Sequence, residues 1–255
     1  MTSDLFSLDG RVALVTGSSR GLGQSLAEAL AQAGAHVVLN GRDEAALASN
    51  EKRFSDAGLS VSTCPFDVTD EAAAIDAVAD IAKMHGRLDI LVNNAGLARR
   101  APLEEYSTED WRYVLDVNLN SCFYLAREAA KPMLKAGYGR IIGIASIASF
   151  IARPLIGPYV ASKHALAGLT KTLAVEFGER GVTANAIAPG YFATEMTEHL
   201  AADPEFDGWL KGRTPMRRWG QPEELSGAVV YLASSASSYV NGHVLVVDGG
   251  MTASM

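Results

Sequence analysis

Short β-branched runs alternate with longer alanine- and leucine-rich stretches along nearly the whole chain, and this alternation restricts the fold more than any other feature. Apolar runs at 12–16, 36–40, 61–66, 88–93, 140–145, 182–188 and 243–247 read as strands. Residues 22–33, 43–57, 70–85, 107–136, 158–180 and 222–234 carry apolar positions at helical spacing. Gly34, Gly58 and Gly86 stand where three of these helices should stop. Thr69 is expected to cap the 70–85 helix, and Ser107 with Asp110 the 107–136 helix. Pro132 is expected to kink that long helix. Strand–helix alternation builds parallel strands joined by crossovers. Continuously apolar strands belong to a sheet covered on both faces. The expected fold is therefore α/β: one doubly wound domain over 1–255, with a parallel seven-stranded sheet and helices on both faces. No repeat or Pro/Ser-rich linker divides the chain. Residues 194–216, richer in charge and aromatics and holding Pro204 and Pro215, read as a small helical flap beyond a strand end.

Composition removes several function classes. With 22 basic and 29 acidic residues the net charge is −7, so no nucleic-acid partner is expected, although a local basic pocket can still hold a phosphate. Cys64 and Cys122 cannot make a disulfide framework and lack zinc-like spacing. The five histidines are scattered, and no metal is expected. Residues 1–10 lack the basic start and apolar run of a signal peptide, no apolar run reaches the ~18 residues of a membrane span, and 251–255 carry no lipidation motif. The expectation is a cytoplasmic protein without a membrane partner.

The first strand runs into Thr16-Gly17-Ser18-Ser19-Arg20-Gly21-Leu22-Gly23 and then a helix. Glycines there allow a tight turn and close approach of a pyrophosphate, and the helix N-terminus offers free N–H groups. The spacing is Gly-x-x-x-Gly-x-Gly, not the general Gly-x-Gly-x-x-Gly, yet its place between first strand and first helix points to a nucleotide. The second strand ends Leu39-Asn40-Gly41-Arg42, with no acid before Asp43. An acid there would bind the ribose hydroxyls and repel a 2′-phosphate. Arg20 and Arg42 instead suit a phosphate, which predicts NADP(H). Further along, Tyr159 and Lys163 are four residues apart and share one helix face. A fixed cation beside a phenol should lower its pKa and make it a usable acid–base group.

Taken together, Thr16–Gly23, Asn93-Asn94-Ala95-Gly96, Ser146, Tyr159-x-x-x-Lys163 and Pro189-Gly190 resemble the classical short-chain dehydrogenase/reductase family, in the family's order and from about Leu8 to Gly250. The resemblance implies a Rossmann-type fold and reversible oxidation of a secondary alcohol to a ketone. It implies that Ser146 hydrogen-bonds the substrate oxygen, that Tyr159 exchanges its proton, and that Lys163 holds the nicotinamide ribose. Asn118 would hold a water relay to the lysine. On the cofactor side it implicates Gly17, Ser19, Arg20, Gly21, Leu22, Gly23, Asn40 and Arg42 around the phosphates. Asp67 and Val68 would flank the adenine; Asn94, Ala95, Gly96, Pro189, Gly190 and Thr194 would line the rest of the cleft. The last strand, 240–250, resembles the family's intersubunit strand and implies a homotetramer.

Segments 4–8, 38–42, 99–105, 188–197 and 217–221 also resemble the family's gluconate 5-dehydrogenase group. That implies an anionic polyol substrate of the gluconate/5-ketogluconate type, with Arg99, Arg100, Arg153 and Arg213 as candidate cations and Ala148 and Tyr191 as further lining. The chain departs from that group at Ala98, Ala148 and Phe150, where polar residues are usual, and this admits a less hydroxylated ligand. A 3-oxoacyl thioester reductase is therefore the alternative. A non-catalytic NADP(H)-binding protein is the rival from another class, and the complete Ser–Tyr–Lys–Asn set argues against it.

Overall fold

A computed structural model describes residues Thr2–Ser254; Met1 and Met255, the ends of the expected domain, lie outside the described residues. The chain opens with the short helix α1 (Thr2–Phe6) and continues through β1 (Val12–Val15), α2 (Gly21–Gln32), β2 (His36–Leu39), α3 (Glu44–Asp56) and β3 (Val61–Thr63). The next elements are α4 (Glu71–His85), β4 (Ile90–Asn93), α5 (Thr108–Leu115), α6 (Ser121–Ala136), β5 (Gly139–Ile144) and α7 (Gly157–Phe177). Last come β6 (Val182–Pro189), α8 (Glu198–Ala201), α9 (Pro204–Arg213), α10 (Ser226–Ala233) and β7 (Val244–Val247). All strands pair in parallel in the order β3-β2-β1-β4-β5-β6-β7. The expected seven-stranded, doubly wound Rossmann-type sheet is present.

The pleat sorts each strand onto two cores. Ala13, Val15, Ile90, Val92, Ile142 and Ile144 face the layer of α2 and α10, while Val12, Leu14, Leu91 and Ile141 face that of α4, α6 and α7. Strand order reverses between β1 and β4, so the loops leaving their C-terminal ends diverge and open a cleft there.

Local expectations differ from the structure at three places. Asp70, not Thr69, caps α4 by accepting from Ala73 N at 3.1 Å, because the Thr69 hydroxyl is committed to Asp67 Oδ1 at 2.8 Å. Ser107 does cap α5, accepting from Asp110 N. The long 107–136 helix is interrupted not at Pro132, which α6 absorbs, but by a π-turn at Asp116–Asn120. Its cause is Asn118, whose buried side chain accepts from Leu97 N and donates to Leu97 O, both at 2.9 Å. One extra residue in the turn carries that amide inward.

At the N-terminal ends of the central strands, just before β4, Asp89 is 2% exposed and joins three segments. It receives Arg87 through two hydrogen bonds of 2.6 Å, Arg11 at 3.1 Å and the backbone of Val12 at 2.9 Å. Removing it strands two cations and a buried N–H. Asp89→Ala is expected to lower unfolding free energy by about 3 kcal/mol. Lys52→Ala, which breaks the exposed Lys52–Asp56 pair, should cost under ~0.5 kcal/mol. Urea denaturation of both variants checks this, and equal losses would remove Asp89 from its structural role.

Candidate active site

The turn after β1 is shaped for an anion. Gly17 has φ +61°, and a Cβ on Gly23 would lie 2.3 Å from both Gly17 O and Asn94 Nδ2. Arg20 occupies the N-cap of α2 in extended backbone and gives the first turn no side-chain hydrogen bond. Ser19, Gly21 and Leu22 complete this turn, so its N–H groups and the helix dipole face outward for a phosphate. The residues present thus fit a dinucleotide: in this cradle the helix start carries no side-chain cap, and Gly23 packs it directly against Gly17 and Asn94 while the space beside Gly21 is open.

Asn40 lies under the turn rather than facing the cleft. It is 1% exposed, accepts from Gly17 N at 3.3 Å, and donates to Cys64 O and Phe66 O. Its contact with the cofactor is therefore indirect, through the turn it braces. Beyond it, Arg42 reaches Asp67 Oδ2 at 3.5 Å and the Tyr113 hydroxyl at 3.4 Å. Burial alone would raise the Asp67 carboxyl, but two hydrogen bonds from Thr69 and the Arg42 guanidinium hold it below its ordinary value. Val68 is buried beside it. Arg20 pairs with Glu195 at 3.4 Å, joining the phosphate turn to the segment after β6.

On the other side of the cleft, Ser146 follows β5, and Tyr159 and Lys163 lie on the first turns of α7. Ser146 Oγ accepts from Ala148 N, which pins the residues after it into one 3-10 turn. Lys163 is 4% exposed and donates to Ile144 O at 2.7 Å, with its nitrogen 5.5 Å from the Tyr159 ring centroid. Burial pulls the Lys163 ammonium down to about 8. Burial likewise pushes the Tyr159 phenol up, with only Ser146 opposing it. This corrects the expectation that the lysine lowers the phenol. Desolvation governs both groups here, and the ammonium spends its short contact on a carbonyl. Gly96 borders this centre: a Cβ there would meet Asn118 Oδ1 at 3.4 Å and Lys163 Nζ at 3.6 Å.

The expected substrate residues divide into two groups. Arg99 pairs with Asp110 at 3.0 Å and lies over Tyr113, while exposed Arg100 has no ion pair among the described residues. With Leu97, Tyr106 and Asp110 they border a recess of about 390 Å³ that Ser146 and Tyr159 do not line. Arg153 and Tyr191 instead meet near Ile147, the residue after Ser146. Arg153 Nη1 donates to the Tyr191 hydroxyl at 3.2 Å, and its guanidinium carbon lies 4.5 Å from the Phe206 ring centroid. Tyr191 packs edge to face against both Phe206 and Trp219, in one cluster with Ile147, so α9 closes onto the residues that follow Ser146. Ala148 is buried, Phe150 half exposed, and Arg213 donates to Ser254. Thr194 is engaged with Thr197, and Gly190 passes so close to Asp248 that a Cβ would lie 2.7 Å from it, at the end of Pro189 and β6.

Sequence reasoning missed three supports of this site. Ser149 donates to Lys163 O at 2.7 Å. Ser162 accepts from Asn118 and donates to Tyr159 O at 2.7 Å. Leu155, at φ +71°, turns its carbonyl to Ala101 N at 3.1 Å and so ties the Arg99–Arg100 loop to the catalytic one. Only Ser162 carried a signal, its place inside Tyr159-x-x-x-Lys163.

A phosphate turn facing a half-buried tyrosine and a buried lysine is the arrangement of a dinucleotide-dependent oxidoreductase. Known proteins agree: residues 17–252 match the family model described as Enoyl-(Acyl carrier protein) reductase. The chain is 54% identical to Gluconate 5-dehydrogenase of Gluconobacter oxydans (strain 621H) over 99% of its length and 98% of the relative. It is 44% identical to 2-dehydro-3-deoxy-D-gluconate 5-dehydrogenase of Bacillus subtilis (strain 168), covering 97% and 96%. A gluconate 5-dehydrogenase from Burkholderia cenocepacia J2315, solved in complex with NADP and tartrate, superposes with TM-score 0.97 at 46% identity over the whole of both chains. The chain belongs to the classical short-chain dehydrogenase/reductase family of oxidoreductases.

The cradle makes a direct prediction. Gly23→Ala places a methyl against backbone and should destabilise the protein by more than ~2 kcal/mol in denaturant titration. Gly168→Ala, on an exposed part of α7 with open space around the new atom, should stabilise it by ~0.5–1 kcal/mol.

Proposed function

We propose that this protein interconverts a secondary alcohol and a ketone on a sugar acid of the gluconate/5-ketogluconate type, with NADP(H) as its cofactor. The relatives named above support the substrate class, and the NADP held by the Burkholderia enzyme supports the cofactor. Within this chain the observation that carries the reading is Arg153. Half-buried beside the catalytic loop, it rests on a phenol and an aromatic face and has no carboxylate partner among the described residues. A guanidinium so held is free to take a substrate carboxylate.

The nicotinamide cofactor supplies or accepts the hydride. This chain's residues do the rest. Ser146 and Tyr159 bind the substrate oxygen and stabilise charge developing on it. In reduction Tyr159 gives that oxygen its proton; in oxidation it takes the proton away. A phenol held above its ordinary value stays protonated, which favours reduction. The phenolate left behind needs the nearby Lys163 cation. Lys163 is charged below about 8 and neutral above it. Reductive kcat/KM should therefore be highest below pH 8 and fall as pH rises through about 8, with an apparent value belonging to the pair. A profile flat to pH 10 would contradict this.

A screen of carbonyl compounds tests the substrate. The wild type should favour 5-ketogluconate over neutral ketones by at least about tenfold in kcat/KM. Arg153→Gln should raise KM for the keto acid by ~10-fold or more, with kcat nearly unchanged and neutral ketones unaffected. The exposed apolar side chains of Phe150 and Ile151, just after Ser146, favour a second reading as a 3-oxoacyl thioester reductase. Preference for such a thioester, insensitive to Arg153→Gln, would replace the first reading.

A further inference from the structure

The cofactor end of the cleft contains a tyrosine that no family motif singles out. Tyr113 lies on the last turn of α5, one helical turn before the π-turn that carries Asn118. Its hydroxyl accepts from Arg42 Nη1 at 3.4 Å, and its ring carries Arg99, whose guanidinium carbon is 5.4 Å from the centroid. Arg42 is thus held between two walls of the cleft, Asp67 on one and Tyr113 on the other.

The two acceptors act differently on an incoming anion. A carboxylate neutralises the guanidinium and repels phosphate, while a phenol orients the same guanidinium without cancelling its charge. A phenol oxygen that accepts one hydrogen bond still has its own O–H to donate. Asp67 spends Oδ1 on Thr69 and offers Arg42 only Oδ2, at the longer distance of 3.5 Å. Arg42 itself is two-thirds exposed, so without a second holding point its long side chain would be free to turn to solvent.

We propose that Tyr113 is a positioning residue for cofactor choice: it holds Arg42 toward the adenosine end of the cleft and so favours a dinucleotide bearing a phosphate on its adenosine ribose. This deepens the NADP(H) reading and rests on it. It also separates two effects that a single arginine substitution merges. Arg42 supplies the charge, and Tyr113 supplies its direction.

Direct binding tests this without turnover. NADPH and NADH are titrated into wild type, Tyr113→Phe, Arg42→Ala and the double variant, following nicotinamide fluorescence. Thermal unfolding in parallel establishes that each variant is folded. Removing one hydrogen bond to a charged group should weaken NADPH about fivefold in Tyr113→Phe and leave NADH within twofold. In the Arg42→Ala background the same change should have no further effect on NADPH. Equal loss for both dinucleotides, or no loss for either, would overturn the role of Tyr113. A wild type that binds NADH as tightly as NADPH would instead overturn the cofactor reading. The outcomes are distinct because the first leaves the wild-type preference intact.

Discussion

The cleft exists because two diverging loops are tied together at their roots. Thr16 at the end of β1 accepts from Asn94 N and Ala95 N through one hydroxyl, each at 3.0 Å. Asn94 returns the bond, donating its side-chain amide to Thr16 O at 2.8 Å and Gly17 O at 3.0 Å. Thr16 is buried and its partners are partly so, and leaving its groups unpaired would be costly. The knot fixes the phosphate turn relative to the β4 end, and Gly23 packs directly onto it. Tilting one loop would break several buried hydrogen bonds at once. The strand reversal supplies the cleft, and this knot supplies its width.

The chemistry is placed against the far wall by a similar economy of backbone contacts. Lys163 is one of the more expensive residues to bury, yet its ammonium donates to Ile144 O and its carbonyl accepts from Ser149. Asn118 fixes Leu97 from both sides and hands a hydrogen bond to Ser162, which in turn holds Tyr159 O. The π-turn makes this possible, because a regular helix would not carry the Asn118 amide to the loop. Desolvation drives Tyr159 and Lys163 apart, the phenol up from its ordinary value and the ammonium down to about 8. The phenol therefore keeps its proton in a range where the lysine has begun to lose its own.

Much of this was readable from the sequence, and the reason is periodicity. Strand and helix runs, the glycine turn and the Tyr159–Lys163 spacing are local patterns, and each maps onto a local structure. What escaped depends on contacts between distant segments. Nothing local distinguishes Asn118 as the cause of a π-turn, since its partner Leu97 is remote in sequence. Pro132 looked like the break in the long helix, but α6 runs through it from Ser121 to Ala136, held by buried Ala129, Ala130 and Met133. Thr69 and Asp70 are both good caps, and only the third residue, Asp67, decides between them. The phenol's direction of shift was missed for the same reason. Spacing shows that a cation is near, but not that burial outweighs it.

The arginines show how partners rank what composition cannot. An acidic protein has carboxylates to spare, and half of the six candidate cations have found one: Arg20 has Glu195, Arg42 has Asp67 and Arg99 has Asp110. An anion arriving at these must compete with a charge already there, and the competition is weakest where the pair is longest and most exposed. By that measure the Arg20 and Arg42 pairs, at 3.4 and 3.5 Å, yield to a phosphate more readily than the 3.0 Å Arg99 pair. Arg100 is free of such competition but exposed, so binding must first immobilise it. Arg153 and Arg213 both lack an ion pair among the described residues, and Arg153 is the better ordered, by a hydroxyl at 3.2 Å and an aromatic ring, where Arg213 has Ser254 at 3.4 Å. An anion at Arg153 gains a full charge without displacing another and without ordering the side chain. The same physical criterion, applied to both ends of the cleft, is what supports the proposed division of phosphate to one set of arginines and carboxylate to the other.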